Sequence, residues 1–263
     1  TFEELFQGIK AVAWEELLPE DARFPIRAKC VRSTLMSPSD VQKIAKRAIV
    51  ERMKLEHGVD WFSETGALFQ VDVSIRNDEV TVSIDASGEP LSKRGYRTWN
   101  GEAPLRETLA AALVLQSGWH PWQRLYDPCC GTGTILCEAA MLERGRAPGL
   151  FRQFDMEAWT RPDPAPRAEA MEMYESGKDR PVSISGSDID PEAIKLARLH
   201  LRQARLPGVE VEVLDLRKFR RPDPPGLFLC NPPYGERLGD RKAAAAVERA
   251  LIEMWRAHPG WRL

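Results

Sequence analysis

The chain has 263 residues, 43% of them hydrophobic and 29% charged, a composition typical of a globular protein and not of a disordered or fibrous one. Its 37 Lys and Arg against 39 Asp and Glu give a formal net charge of −2, which argues against a nucleic-acid partner, because such a partner usually requires a basic excess. No apolar run reaches the roughly 18 residues of a membrane helix, so we expect no membrane partner. The length predicts one large domain or two ordinary ones.

The cysteines and histidines argue against disulfides, metals and secretion. Five cysteines, two of them adjacent, and four scattered histidines show no C-x-x-C or other ligand spacing. We therefore expect no metal site, and a cytoplasmic protein with reduced thiols. The first residues, Thr1 to Glu4, include neither an initiator Met nor a signal sequence, so we expect that the chain begins inside a longer protein.

The first predicted domain contains a strongly basic segment. Residues 22–54 hold nine Lys and Arg against two acidic residues, a local charge of +7. The elements expected in this domain form a small α+β unit: a strand over 26–32, a helix that begins after Ser37, and strands over 68–75 and 80–86 joined by a turn. The candidates for phosphate contact are Arg32, Lys43, Lys46 and Arg47. The alternative is an ordinary solvated helix face.

Between Ser87 and Pro104 the periodicity stops, and Gly, Pro and Asn indicate a connector. The connector interleaves basic with aromatic residues, namely Lys93, Arg94, Tyr96, Arg97 and Trp99. Such a composition suits phosphate contact combined with base stacking. A solvated linker is the alternative, and in either case we expect the domain boundary here.

After Pro104 helices and strands alternate. Helices are expected over 105–116, 133–143, 191–204 and 241–257, and strands over 124–126, 182–186, 209–214 and 227–230. Repeated strand–helix units predict a doubly wound α/β sheet that is largely parallel. Residues 144–181 resemble an insertion with one helix over 165–174. A further strand begins near Trp261, so we expect the sheet to be unfinished at Leu263.

A glycine-rich turn follows the first strand of this second domain, at Asp127-Pro128-Cys129-Cys130-Gly131-Thr132-Gly133-Thr134. Glycines let a backbone approach a ligand, and the next helix offers free N–H groups. The turn lacks the Lys of a P-loop, and Leu136 stands where a dinucleotide fingerprint needs Gly or Ala. The preceding Asp127 favours a cationic ligand.

Acidic residues end the next two strands. Asp188 could accept hydrogen bonds from ribose hydroxyls, and Asp215 from an adenine amino group. Asp190 precedes Pro191 and is expected to cap a helix instead. Because the carboxyl ends of parallel strands share one edge of the sheet, we expect Asp127, Asp188 and Asp215 to lie together there.

The tetrad Asn231-Pro232-Pro233-Tyr234 closes the following strand. An exocyclic amine of a base is a poor nucleophile, because its lone pair is delocalised into the ring. The Asn231 amide oxygen and the Pro232 carbonyl can accept the two N–H groups and so orient that lone pair. Pro fixes the backbone, and Tyr234 can stack on the base. A Pro-rich loop without function is the alternative.

Together these elements resemble the class I S-adenosylmethionine-dependent methyltransferases that act on amines. The basic unit resembles a THUMP domain, an RNA-binding module. The strings at 92–97, 104–112 and 138–142 (Ser-Lys-Arg-Gly-Tyr-Arg, Pro-Leu-Arg-Glu-Thr-Leu-Ala-Ala-Ala and Glu-Ala-Ala-Met-Leu) resemble the THUMP-containing RNA guanine-N2 methyltransferases, above all the bacterial 23S rRNA enzymes. The resemblance covers almost the whole chain.

The resemblance implies a fold, domain bounds and site residues. The fold is a Rossmann-like methyltransferase sheet, truncated at its C-terminal end, over 104–263, preceded by a THUMP-like domain over 22–90 and a linker over 91–103. Residues 1–21 would be the tail of a ferredoxin-like segment. The implied S-adenosyl-L-methionine contacts are Asp127, Pro128, Cys129, Gly131, Gly133, Thr134, Asp188, Ile189, Asp215, Leu216 and Asn231, and the catalytic residues are Asn231, Pro232, Pro233 and Tyr234. The RNA contacts would be Arg32, Lys43, Lys46, Arg47, Lys93, Arg94, Tyr96 and Arg97.

The expected function is methyl transfer to the N2 amine of a guanosine in structured RNA, with 23S rRNA as the target and rRNA processing as the role. Transfer RNA guanine, and adenine N6 of DNA or RNA, are the rivals with the same chemistry. A rival of another class is a non-catalytic RNA-binding or ribosome-assembly factor. The basic unit favours RNA over DNA, since RNA is recognised by shape and 2′-hydroxyls.

Overall fold

A computed structural model describes residues 1–97, 105–159, 163–220, 224–233 and 241–263. The chain divides into two compact units, each with its own hydrophobic core. The first unit comprises Thr1–Pro90 with Gln153–Pro164, and the second comprises Leu91–Arg152 with Ala165–Leu263. Within the described part of the chain, no helix is both long enough and apolar enough to cross a bilayer.

The first unit is a three-stranded sheet covered by helices. Its elements are α1 (Phe2–Lys10), α2 (Trp14–Leu17), β1 (Ile26–Val31), α3 (Pro38–His57), β2 (Gln70–Arg76) and β3 (Glu79–Asp85). β1 pairs parallel with β2, and β2 pairs antiparallel with β3. Successive side chains of a strand point to opposite faces, so the alternation in β1 and β2 buries one apolar row against the helices.

The helix α3 begins and ends where its sequence signals predict. The Ser37 hydroxyl accepts a hydrogen bond from the backbone N–H of Asp40, Pro38 occupies the first turn, and Gly58 ends the helix in a left-handed conformation at φ +67°. The apolar stripe of α3 is fully buried: Val41, Ala45, Ala48, Ile49 and Met53. The predicted α+β unit is therefore confirmed at the level of its elements.

Part of the predicted insertion belongs to the first unit. A 3₁₀ turn over Asp155–Ala158 leads into Trp159. The indole of Trp159 stacks on Phe69 with ring centroids 4.6 Å apart, and its Nε1–H donates to the Leu68 carbonyl at 3.0 Å. Periodicity alone could not predict this return of the chain, because the segment has no regular element long enough to show one.

The second unit is an α/β sheet with helices. Its elements are α4 (Glu107–Gln116), β4 (Arg124–Asp127), α5 (Thr134–Glu143), α6 (Ala165–Gly177), β5 (Ile184–Asp188), α7 (Pro191–Gln203), β6 (Glu210–Val213), β7 (Gly226–Phe228) and α8 (Arg241–Arg256). The strand order is β6-β5-β4-β7, and every pair is parallel. Arg262 forms a further parallel bridge with Leu227. The predicted α/β class with a largely parallel sheet is confirmed.

The strand order sets the place for a ligand. From β4 the chain adds β5 and β6 on one side and then returns to add β7 on the other side. The point at which the strand order changes side therefore lies between β4 and β7. Open α/β sheets bind ligands at such a switch point.

Candidate functional site

A cavity of about 720 Å³ opens at the carboxyl edge of the sheet in the second unit. The loops that follow β4, β5, β6 and β7 all contribute to its walls. The lining residues that the sequence also singles out are Asp127, Pro128, Cys129, Gly131, Thr134, Asp188, Ile189, Asp215, Leu216, Asn231, Pro232 and Pro233. Four separate segments thus meet around one space of the size that small-molecule sites have.

The glycine-rich turn needs its glycines for two different reasons. Gly131 and Gly133 both adopt left-handed conformations, at φ +53° and +81°. A side chain at Gly133 would also meet the Cβ of Ala197 at 3.2 Å, whereas the space beside Gly131 is open. α5 begins directly after Gly133 and has no side-chain cap, so its N-terminal N–H groups stay available to a ligand.

Asp127 is a buried carboxyl at the end of β4, with 1% of its surface exposed. Its Oδ1 accepts a hydrogen bond from the backbone N–H of Cys129 at 3.1 Å. Burial raises the pKa of Asp127 from its usual 3.8 to about 8, and the nearby Asp188 carboxylate acts in the same direction. A cation in the cavity would offset this penalty, since it favours the ionised carboxylate.

Asp188, at the end of β5, holds the glycine-rich turn in place. Its Oδ2 accepts from the N–H of Gly131 at 2.9 Å, and its Oδ1 from the N–H of Asp190 at 3.0 Å. Carboxylate oxygens have further lone pairs, so Asp188 can still accept bonds from a ligand. Asp190 accepts from the N–H of Glu192 at 2.9 Å and caps α7, as the sequence predicts.

The far end of the cavity combines an apolar surface with a carboxylate. Ile189 has 66% of its surface exposed, which is unusual for a large aliphatic residue beside a cavity. Asp215 accepts from the backbone N–H and from the guanidinium of Arg217, and that guanidinium lowers the pKa of Asp215. An apolar platform next to a charged acceptor suits a flat ring that carries an amino group.

The loop after β7 brings Asn231, Pro232 and Pro233 to the same cavity. Tyr234, which the sequence predicts as a base-stacking residue, lies outside the described residues. Burial raises the pKa of the Cys129 thiol to about 12, and the pKa of Cys230 rises for the same reason. These thiols are therefore uncharged at neutral pH and poor nucleophiles.

No cluster of three or more His, Cys, Asp or Glu side chains that could hold a metal occurs among residues 1–97, 105–159, 163–220, 224–233 and 241–263.

The cavity has three chemical features: an end that favours a cation, an apolar platform, and a pair of acceptors formed by an amide oxygen and a carbonyl. This combination can bind a charged nucleoside derivative and orient an amine.

The predicted RNA contacts of the first unit differ in exposure and in the contacts that their side chains make within the protein. Arg32 and Lys43 are exposed, with Lys43 near Asp40 at 4.0 Å. Lys46 forms an ion pair with Glu64 at 2.7 Å and lies 3.4 Å from the centre of the Phe24 ring. Arg47 is exposed and lies over the Phe6 ring at 5.1 Å. Arg32 and Lys43 are thus the side chains best placed for phosphate contact.

Three of the four connector residues that the sequence predicts as RNA contacts have largely buried side chains. Lys93 is exposed, but Tyr96 is 2% exposed, and only 9% of the side-chain surface of Arg94 and of Arg97 is accessible. Arg94, Tyr96 and Arg97 are engaged inside the second unit, so we no longer assign them to RNA contact. Their acidic partners, Glu107 at the start of α4 and Glu138 on α5, lie outside the connector, so no pattern within the connector predicts these ion pairs.

One buried residue of the site escaped sequence reasoning. His200 is fully buried on α7, and its Nδ1 lies 3.0 Å from the Thr132 carbonyl of the glycine-rich turn. The signal available was its place on the apolar stripe of α7, three residues after Ala197, which packs under Gly133. A histidine on that stripe faces the core and can brace the turn from below.

Comparison with known proteins gives a family for each part of the chain. Residues 94–260 match the RMKL-like methyltransferase domain, and residues 1–85 match the THUMP domain. The THUMP match starts at residue 1, so it includes α1 and α2.

Individual relatives extend over nearly the whole chain. "Putative RNA methyltransferase YpsC" of Bacillus subtilis (strain 168) is 41% identical over 262 residues, covering 98% of this chain and 67% of the relative. A solved structure from Listeria monocytogenes, described as a "predicted N6-adenine-specific DNA methylase", is 43% identical with a TM-score of 0.92. SMU.472, solved in complex with SAH, is 36% identical with a TM-score of 0.91. Each structure matches 99% of this chain, which spans 70% of theirs.

Proposed function

Because the chain belongs to the RMKL-like methyltransferase family and carries a THUMP domain, we propose that it transfers a methyl group from S-adenosyl-L-methionine to the N2 amine of a guanosine in structured RNA, with 23S rRNA as the target. The observation that carries the proposal is the single cavity that joins the acidic strand ends to Asn231 and Pro232. A cofactor site and an amine-orienting loop at one cavity are what an amino-methyltransferase requires.

The residues present fit the cofactor by their chemistry. The amides at the start of α5 suit a carboxylate, Asp127 suits the charged amine of the methionine part, and Asp188 suits ribose hydroxyls. Ile189 offers its exposed side chain to the adenine ring, and Asp215 can accept from the adenine amine. SMU.472, which shares the fold throughout, binds SAH, the product form of the same cofactor. When bound, the cofactor supplies an electrophilic methyl group.

The chain's own contribution to the reaction is the placement of the amine. The Asn231 side-chain oxygen and the Pro232 carbonyl each accept one N–H of the target amine, which directs its lone pair into the cavity. Pro233 restricts the backbone that carries both acceptors. The rate gain comes from orientation and fixed dipoles, because this mechanism needs no strong base to activate the amine; once the N–C bond has formed, the methylated nitrogen would release one proton to water.

RNA is the substrate that the first unit favours. Its segment 22–54 has a local charge of +7, and Arg32 and Lys43 are exposed within it. Basic residues on a compact module favour phosphate contact, and an RNA helix displays its 2′-hydroxyls in a wide minor groove. The names of the relatives differ on this point, since one is named for RNA and another for adenine in DNA.

The proposal is tested by supplying S-adenosyl-L-methionine with a labelled methyl group together with rRNA, tRNA or DNA in separate reactions. We expect label in rRNA, and loss of label with Asn231→Ala, which removes one of the two acceptors. Label in tRNA alone would replace 23S rRNA by tRNA as the target, and the proposed methyl transfer to RNA would still hold. Label in DNA alone would overturn the RNA assignment, and no transfer despite RNA binding would indicate a non-catalytic RNA-binding factor.

A further inference from the structure

The segment Leu91–Arg97, which has neither helix nor strand, packs into the core of the second unit. Tyr96 is part of the same hydrophobic cluster as Ile135 and Leu136 of α5. Nothing in the proposed function explains why a short irregular segment buries two guanidinium groups and a phenol. Buried charges are costly unless they are paired, so their partners indicate what the segment does.

Arg97 lies outside the lining of the cofactor cavity and bonds to two residues that belong to that lining. Its guanidinium donates to the Thr134 hydroxyl and, at 3.3 Å, to the Leu105 carbonyl. Its Nε lies 3.4 Å from the Glu107 carboxylate, which neutralises its charge. Thr134 and Leu105 both line the cavity, whereas Arg97 itself does not. One planar donor group therefore fixes two cavity residues at once.

Arg94 and Tyr96 hold the next turn of the same helix. Arg94 forms an ion pair with Glu138 at 3.3 Å, and the Tyr96 hydroxyl donates to Glu138 at 3.2 Å. Glu138 follows Thr134 by four residues, so both face the same side of α5. Burial raises the pKa of Glu138, and the adjacent Arg94 guanidinium opposes this effect. Together these contacts anchor α5 over its first two turns.

The start of α5 is the part of the helix that needs an external anchor. α5 has no side-chain cap, and Gly131 and Gly133 before it have no side chains, so the turn is held by contacts from other segments: Asp188 bonds to Gly131, and Arg97 bonds to Thr134. The N-terminal N–H groups of α5 are the groups that the proposed site presents to the cofactor. A shift of the first turn would therefore move those donors relative to Asp127 and Asp188.

We infer that Arg97 is a positioning residue for the cofactor: through Thr134 and Leu105 it sets the N-terminus of α5 and hence the affinity of the cavity for S-adenosyl-L-methionine. This inference rests on the proposed cofactor site. Arg97 does not contact the reacting atoms, so its removal affects cofactor binding and the KM for S-adenosyl-L-methionine, and not the orientation of the amine.

Arg144 provides a matched control at the opposite end of the same helix. It caps the C-terminus of α5, is 4% exposed, and donates to the carbonyls of Pro207 and Arg180 at 2.5 and 3.4 Å. Like Arg97 it is a buried guanidinium bonded to backbone oxygens, but its partners Pro207 and Arg180 do not line the cavity, whereas the Arg97 partners Thr134 and Leu105 do. Lys at either position keeps the charge and loses the planar fork.

The test compares Arg97→Lys, Arg144→Lys and the wild-type protein by calorimetric titration with SAH and by thermal unfolding. Both variants should melt earlier than wild type, but only Arg97→Lys should bind SAH more weakly, by about tenfold, the factor that a lost charge-assisted hydrogen bond typically costs. Its KM for S-adenosyl-L-methionine should rise by a similar factor while kcat at saturation stays close to wild type. Equal SAH affinity in Arg97→Lys and wild type would overturn the inference, and so would an equal loss in both variants.

Glu107→Gln tests the same contact from outside the cavity, and it applies even if Arg97→Lys does not fold. The substitution preserves shape and removes the carboxylate charge that holds the Arg97 guanidinium, and Glu107 does not line the cavity, so SAH should bind a few-fold more weakly. Wild-type affinity in this variant, with Arg97→Lys unfolded, would refute the positioning role. A wild-type protein that does not bind SAH would refute the cofactor assignment itself, which is a distinct result.

Discussion

The protonation of Asp127 should control how tightly the cofactor binds. Its pKa is raised to about 8 by burial, so the carboxyl is largely neutral at pH 6 in the free protein. The charged amine of the cofactor favours the ionised form, so binding below pH 8 requires the release of one proton. Affinity should therefore rise with pH up to about 8 and become flat above it.

The size of the effect follows from proton linkage. Where binding releases one proton, affinity changes by up to about tenfold per pH unit, so the Kd for SAH should fall by up to about a hundredfold between pH 6 and pH 8. Stability without cofactor should show the opposite trend. Because the folded-state pKa lies above the usual 3.8, the stability from this protonated group is present below that value and is lost as pH rises towards 8.

Calorimetric titration with SAH at pH 6, 7, 8 and 9, in two buffers of different ionisation enthalpy, measures both the Kd and the protons released. Asp127→Asn should bind weakly at every pH and lose most of the dependence between pH 6 and 8. Asp188 is the other carboxylate that faces Asp127, and Asp188→Asn should weaken binding while keeping that dependence. A wild-type Kd that is the same at pH 6 and pH 8, or an equally steep dependence in Asp127→Asn, would refute the reasoning.

Three further predictions concern the amine, the glycine turn and the basic segment. Asn231→Ala should lower kcat by at least about a hundredfold, as loss of a fixed polar contact in a transition state does, while calorimetry gives a Kd for SAH that rises far less than kcat falls, because Asn231 is only one of the residues that line the cofactor cavity. Gly133→Ala should lower the free energy of unfolding in urea by about 1–3 kcal/mol, and Gly131→Ala by about 1 kcal/mol, because both are left-handed but only Gly133 also contacts a side chain. Arg32→Glu with Lys43→Glu should weaken RNA binding and reduce its salt dependence by about one counterion per lost phosphate contact.

Each of these has a control. For the amine, the control variant is Asn231→Asp, which preserves the size of the side chain but replaces the amide with a charged carboxylate. Full activity in Asn231→Ala would exclude the amine-orienting role. Equal unfolding free energies of the two glycine variants would show that the contact with Ala197 is unimportant. Arg202→Glu with Arg256→Glu changes two exposed charges of the second unit, and if it weakens RNA binding as much as the first double variant, the effect reflects total charge and not the basic segment.

Much of the site follows from the sequence because its parts lie at strand ends. Asp127 ends β4, Asp188 ends β5 and Asp215 comes two residues after β6, and parallel strands bring their carboxyl ends to one edge whatever the details of packing. The cap at Asp190 follows equally simply, because capping depends only on the next few residues. Local and topological rules therefore predict which residues meet around the cavity, while their roles in binding stay predictions.

The connector shows where such rules fail. Arg94, Tyr96 and Arg97 have the composition of an RNA-contacting linker, yet they are buried against Glu138, Glu107 and Thr134. Glu138 lies more than forty residues further along the chain on α5, and no periodicity connects it to Arg94. A buried ion pair is visible only once tertiary packing is known. For the same reason the return of Trp159 to the first unit, where it stacks on Phe69, could not be predicted.

The central claim is methyl transfer to a guanine amine in RNA, and the identity of the methylated nucleoside tests it most directly. RNA treated with the protein and S-adenosyl-L-methionine is digested to nucleosides and analysed by mass spectrometry against synthetic standards, with Asn231→Ala as the inactive comparison. The proposed function predicts N2-methylguanosine. N6-methyladenosine as the product, in either RNA or DNA, would contradict the account.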